Sequence, residues 1–170
     1  MKIVKFIYIL SIGLFWSEYT FGQNKVTKSQ IFKLIKSSIN QTSRKSISVG
    51  SGAWIICNQD NSFFKSDTIK LYNNINYFYQ LSSCCDFIDW TFYKKNSFLQ
   101  SKSQICREPA SADVHVDYYQ LIVIKENETL YLQINKSNLP VSKFEIVKIE
   151  NIKLDNNNST DVIVLKRQAN

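Results

Sequence analysis

One cluster in the sequence has the makings of a chemical site. Asp113, His115 and Asp117 stand two residues apart, so an extended chain would turn all three toward one face. An imidazole between two carboxylates can ligate a metal or act as a base with an orienting acid. The intervening Val114 and Val116 give the segment the alternation of a half-buried strand, and on that reading the three polar residues are simply its solvent side. His115 is the only histidine in the chain. No serine sits in a nucleophile-elbow context and no glycine-rich phosphate loop occurs, so nothing completes a catalytic set around it. The sequence points to a non-enzyme, with no catalytic residues, no metal and no cofactor.

The second reactive set is four cysteines, Cys57, Cys84, Cys85 and Cys106. No Cys-x-x-Cys pair is present, so zinc-ligand spacing and a redox motif are both lacking. An even number in an exported chain reads as disulfides, and four cysteines allow three pairings. A bridge between the adjacent Cys84 and Cys85 would need a strained ring, which sends one of them to Cys57 and the other to Cys106. We favour Cys85 with Cys106, closing a loop worth about 3 kcal/mol in chain entropy.

Export is read from the first residues. Lys2 and Lys5 precede the apolar run 6–16, and polar Ser17 and Glu18 follow it, the order of a secretory signal peptide. That run is well short of the roughly 20 residues a permanent membrane span needs. Thr20 and Gly22 offer small side chains for cleavage after Gly22, so residues 1–22 are expected to be removed and the protein to be periplasmic or extracellular. The chain carries +7; losing Lys2, Lys5 and Glu18 leaves about +6, scattered rather than clustered. That pattern excludes a nucleic-acid track but suits contact with an anionic envelope surface.

The elements that would position these residues divide in two. In segment 23–45, Thr27-Lys28-Ser29-Gln30 resembles a capping box, and Ile31, Leu34, Ile35 and Ile39 then recur at helical spacing. The single apolar stripe should cover one end or one wall of the domain that follows. From residue 46 to 170 the period becomes that of strands, with runs near 47–57, 67–72, 76–81, 87–94, 97–104, 114–125, 128–135, 142–154 and 160–167. Turns are predicted at 94–96, 126–127 and 155–159, and no later segment is helically periodic. The phase of 144–154 requires bulges near Val147 and Asn151. The run Tyr118 to Ile124 is apolar on both faces and predicts a strand covered on its outside. The expected fold is all-β, an antiparallel up-and-down meander barrel of about eight to nine strands with one N-terminal helix.

Gly52-Ala53-Trp54 on the first strand, just after a helix, is similar to the Gly-x-Trp of lipocalins, and Arg167 on the last strand falls where that family places an arginine over the tryptophan. Trp90-Thr91-Phe92 before a turn, Phe98 after it and Cys106 beyond resemble the bacterial secreted branch. The resemblance covers about 45–170 and implies a barrel shut at one end by indole and guanidinium, with a small hydrophobic ligand inside. Tyr77, Tyr79, Trp90, Phe92, Tyr118 and Tyr131, from a pool that includes Tyr72, Phe78 and Tyr119, are the candidate lining, since they join large apolar bodies to polar tips. The alternative is a barrel filled by side chains that serves as a structural or protein-interaction module of the envelope.

Overall fold

The computed structural model describes residues 25–41, 53–73, 84–104, 106, 111–112, 117–153 and 159–169. Within them lie two short helices, α1 (Lys28–Gln41) and α2 (Ser62–Lys65), the second entered through a 3-10 turn at Gln59–Asn61. Nine strands are described, of which all but the short β5 follow expected runs: β1 (Ala53–Cys57), β2 (Thr68–Tyr72), β3 (Asp86–Lys94), β4 (Ser97–Gln104), β5 (Ser111–Ala112), β6 (Asp117–Glu126), β7 (Thr129–Lys136), β8 (Leu139–Lys153) and β9 (Ser159–Arg167). The signal segment, the run 76–81, Gly52, Tyr77, Tyr79, Asp113 and His115 lie outside the described residues.

Eight strands close an antiparallel barrel in the order β3-β1-β2-β9-β8-β7-β6-β4, with β3 pairing β4 to complete the ring and β5 appended to β4. From β3 to β9 neighbours follow chain order as a meander, β5 aside. The first two strands enter between β3 and β9, so that β1 borders β3 and β2 borders β9. Their mutual seam is thin, with Ile55 opposite Tyr72. The turns Asn127-Glu128 and Ser137-Asn138 hold both central residues at positive φ, between 43° and 72°. That geometry matches the right-handed strand twist, and in three of the four positions a short polar side chain or asparagine stands where glycine is usual.

Alternation fills the interior. Trp54, Ile88, Trp90, Phe98, Phe144 and Leu165 are each 0% exposed and belong to one apolar cluster with Ile69, Leu71, Leu121, Leu132 and Ile163. The bulge expected near Val147 is present, because β8 shifts register against β9 between Ile146 and Lys148. The second, at Asn151, is absent: Asn151, Ile152 and Lys153 stay in step with β9. Ile152 needed no phase change because it packs on the outside, against Tyr72, Val162 and Val164.

Helix α1 covers one end of the barrel rather than a wall. Its capping box forms as expected, the Thr27 amide donating to Gln30 Oε1 at 2.7 Å and the Gln30 amide to Thr27 Oγ1 at 3.2 Å. Ile31 and Ile35 enter the main core, and Trp54 Nε1 donates to Ser38 Oγ at 3.2 Å. The outside of β6 is therefore not covered as predicted. Tyr118 is 66% and Ile122 41% exposed, while Tyr119, Leu121 and Val123 turn inward.

The opposite end is shut by α2. Phe63 joins the core, its amide held by Asn58 Oδ1 at 3.1 Å and its ring edge-on to Trp90 with centroids 6.3 Å apart. Both disulfides staple this end, Cys57–Cys84 joining β1 to the start of β3 and Cys85–Cys106 joining β3 to the chain after β4. The favoured pairing is the one present.

Candidate functional site

Of the six candidate ligand-lining residues, the structure describes Trp90, Phe92, Tyr118 and Tyr131, and it separates them. Trp90 and Phe92 come together through Phe98, with ring centroids 4.8 and 5.2 Å from it, and Trp90 Nε1 donates to Gln100 Oε1 at 2.9 Å. They are packed against other side chains. Tyr118 points outward beside Tyr93, at 6.4 Å, and Tyr131 lies on the outer face under the Lys143 ammonium, 4.4 Å from its ring centre. Neither can line the interior, because on both strands the inward positions belong to their apolar neighbours. The four described candidates thus form a core pair and two surface tyrosines rather than one lining, and Tyr77 and Tyr79 lie outside the described residues.

The tryptophan–arginine plug is likewise not made. Arg167 does face inward, but its guanidinium sits over Phe144 at 4.8 Å and Phe63 at 5.6 Å, and Nη2 donates to the Phe63 carbonyl. Burial lowers its pKa, with Asp67 opposing that shift. Strand order is the reason. Ile55 is level with Tyr72, which is level with Val162, so Trp54 stands about 20 Å of strand away from Arg167. Each residue closes an end, but not the same one.

Asp117, the described member of the acid–histidine–acid set, is an exposed residue at the start of β6. It accepts from Lys136 Nζ at 2.8 Å and from Tyr119 Oη at 3.3 Å. Burial and the Asp117 charge raise the Tyr119 pKa. No group of three His, Cys, Asp or Glu side chains able to hold a metal occurs among the described residues.

A polar site that alternation did not reveal lies on the outer face of β3. Asp89 occupies an outward position between Phe87 and Thr91, opposite Ile55 on β1 and Ser101 on β4. The sequence pattern makes such a position solvent-facing, yet Asp89 is 3% exposed, and Thr91 and Ser101 are buried with it. Ser103 Oγ donates to Oδ2 at 2.7 Å, whereas Oδ1 and Ser101 Oγ have no partner among the described residues. Desolvation raises the carboxyl to about 6, against the lowering effect of the Ser103 bond.

A further feature is a split in the wall. Strands β7 and β8 pair from Lys136 opposite Leu139 to Tyr131 opposite Glu145; beyond that β8 runs on beside β9 alone. A cleft of about 550 Å3 fills the split, with Val26, Leu130, Ile146 and Ile149 as its apolar part and Lys25, Glu128 and Lys148 at its edge. It continues past Val26 and Ile149 into a second cleft of about 580 Å3 between α1 and β8, reaching Asn151 and Asp161. Among the described residues no strand pairs the β8 edge along this groove. An unpaired edge offers N–H and C=O groups in the spacing an extended peptide needs.

Comparisons with protein-family models, with curated proteins and with solved structures found no match.

Proposed function

We propose that the protein is an exported, non-catalytic interaction module whose barrel is a packed scaffold and whose recognition surface is external. The observation that carries this reading is the absence of accessible surface on the inward aromatic side chains: Trp54, Trp90, Phe98 and Phe144 are each 0% exposed. A void able to hold even one water would leave surface on its lining, and a cavity for a small apolar ligand would leave far more. Both ends are also filled, by Ile31 and Ile35 of α1 and by Phe63 of α2. Two disulfides, and the lack among the described residues of a helix long and apolar enough to cross a membrane, are compatible with export. The groove along β8 is the surface we assign to an extended partner segment, by strand addition.

Intrinsic fluorescence tests the filled interior directly. Trp54 and Trp90 are the two tryptophans of the domain beyond residue 46, and both are buried. Titrating the disulfide-bonded exported protein with a fatty acid or an environment-sensitive apolar dye should leave their emission unchanged, and native mass spectrometry should find no retained small molecule. A saturable one-to-one ligand that shifts that emission would overturn the reading in favour of a ligand inside the barrel.

A further inference from the structure

We infer that the outer ridge of α1, together with the β3–β4 turn, is a docking face for an anionic bilayer surface, with Phe32 as its apolar anchor. Helix α1 has two ridges. Ile31, Ile35 and Ser38 are buried in the barrel end, and Lys28, Phe32, Lys36 and Ile39 follow along the other ridge at i, i+4, i+8 and i+11, with Phe32 and Ile39 half-buried at the margin of the core. The turn after β3 adds Lys95, whose ammonium lies 4.3 Å from the Phe32 ring centre, and Lys28 approaches the same ring at 5.9 Å. Phe32, Lys33, Lys36, Ile39 and Lys95 bound a cleft of about 570 Å3.

Charge identifies the occupant. The helix KSQIFKLIKSSINQ contains three lysines and no acidic residue. Lys28, Lys33, Lys36 and Lys95, like Lys65, Lys70, Lys94, Lys102, Lys153 and Lys166, have no carboxylate within ion-pair distance among the described residues, and what sets these four apart is that they gather around the Phe32 ring and its cleft. Of the carboxylates beside α1, Glu128 is paired with Lys25 and Lys125, and Asp161, which shares a cleft with Lys33, accepts from Asn151. Four uncompensated ammonium groups around one end repel one another, and an anionic surface relieves that repulsion. A bare polyanion would read the lysines alone. A bilayer also receives the ring and Ile39, since a helix lying in the interface buries its apolar ridge while flanking lysines meet the head groups.

The experiment is co-sedimentation of the exported, disulfide-bonded protein with vesicles of phosphatidylglycerol and phosphatidylcholine in equal parts, and with phosphatidylcholine alone. Binding is expected to the first and not the second, and to fall steeply between 50 and 500 mM salt as screening shortens to a few Å. Each lysine changed to glutamine should weaken partitioning about five-fold. Lys28→Gln, Lys33→Gln, Lys36→Gln and Lys95→Gln together should abolish it with thermal unfolding unchanged. Phe32→Ser should weaken it about ten-fold. Equal binding to both vesicle types, or retention by the four-lysine variant, would overturn the inference. So would binding to dextran sulfate as tight as to the vesicles and unaffected by Phe32→Ser, which would mark a polyanion site.

Discussion

Asp89 should make the protein more stable in mild acid than at neutral pH. In the unfolded chain its carboxyl titrates at 3.8, and in the folded state burial raises it to about 6. The folded protein thus holds a proton over that interval which the unfolded chain has released. The stabilising contribution is fully present below 3.8 and is lost as pH rises through 6. The interval corresponds to about 3 kcal/mol, because each pH unit is worth about 1.4 kcal/mol. Asp89→Asn removes the ionisation and keeps the shape, and the amide oxygen can still accept from Ser103. Urea unfolding at pH 4 should give nearly coincident curves for the two proteins. At pH 7.5 the variant should be more stable by about 3 kcal/mol, a midpoint shift of roughly 1 to 2 M at an m-value typical of this size. The difference between the proteins should rise with pH through the interval and flatten above 7. Parallel stability profiles, or a variant less stable than wild type at pH 7.5, would refute the reasoning, since either would mean that the carboxylate is solvated or partnered.

Ser38→Ala should cost about 1–2 kcal/mol in denaturant unfolding, because it leaves the buried Trp54 indole N–H without its acceptor. A double-mutant cycle between Arg167→Met and Phe144→Leu should give a coupling of about 1 kcal/mol, whereas the cycle between Arg167→Met and Trp54→Phe should give none. Reducing the two disulfides, with separations of 27 and 21 residues, should lower stability by about 3 kcal/mol each in the chain-entropy account, read as the change in unfolding midpoint with and without reductant.

Most of the barrel is legible in the sequence because alternation of inward apolar residues records the face each strand buries. Strands β3, β4, β6, β7 and β9 begin and end within about three residues of where the pattern puts them, and the Val147 bulge follows from the broken phase. Pattern fails where burial is not one-sided. On β3 the outer positions Phe87, Asp89 and Thr91 are buried as fully as the inner Ile88, Trp90 and Phe92, so alternation predicts the orientation of Asp89 but not its environment. The end plug was missed for another reason. Phe63 lies in a connection too short to show a period, and the visible signal was the pair Phe63-Phe64 in an otherwise polar stretch. Nor does sequence fix which strands adjoin, since β1 pairs with β3 and β2 with β9 through residues that would suit either neighbour.

Strand order also accounts for how the two ends are shut. In a barrel whose first and last strands adjoin, an indole on one and a guanidinium on the other can close the same end. Here β2 intervenes, and the backbone of Arg167 bonds to the Asp67 carbonyl at the start of β2 rather than to β1. The guanidinium therefore finds the aromatic residues available on that level, Phe144 across the ladder on β8 and Phe63 from the connection between β1 and β2. Trp54, released from that task, anchors α1 through Ser38. The same exchange that separates the two residues gives the barrel two plugs instead of one, and a cylinder filled along its length and stoppered twice has its variable chemistry on the outside. There α1 presents lysines and β8 an edge that have no partner among the described residues.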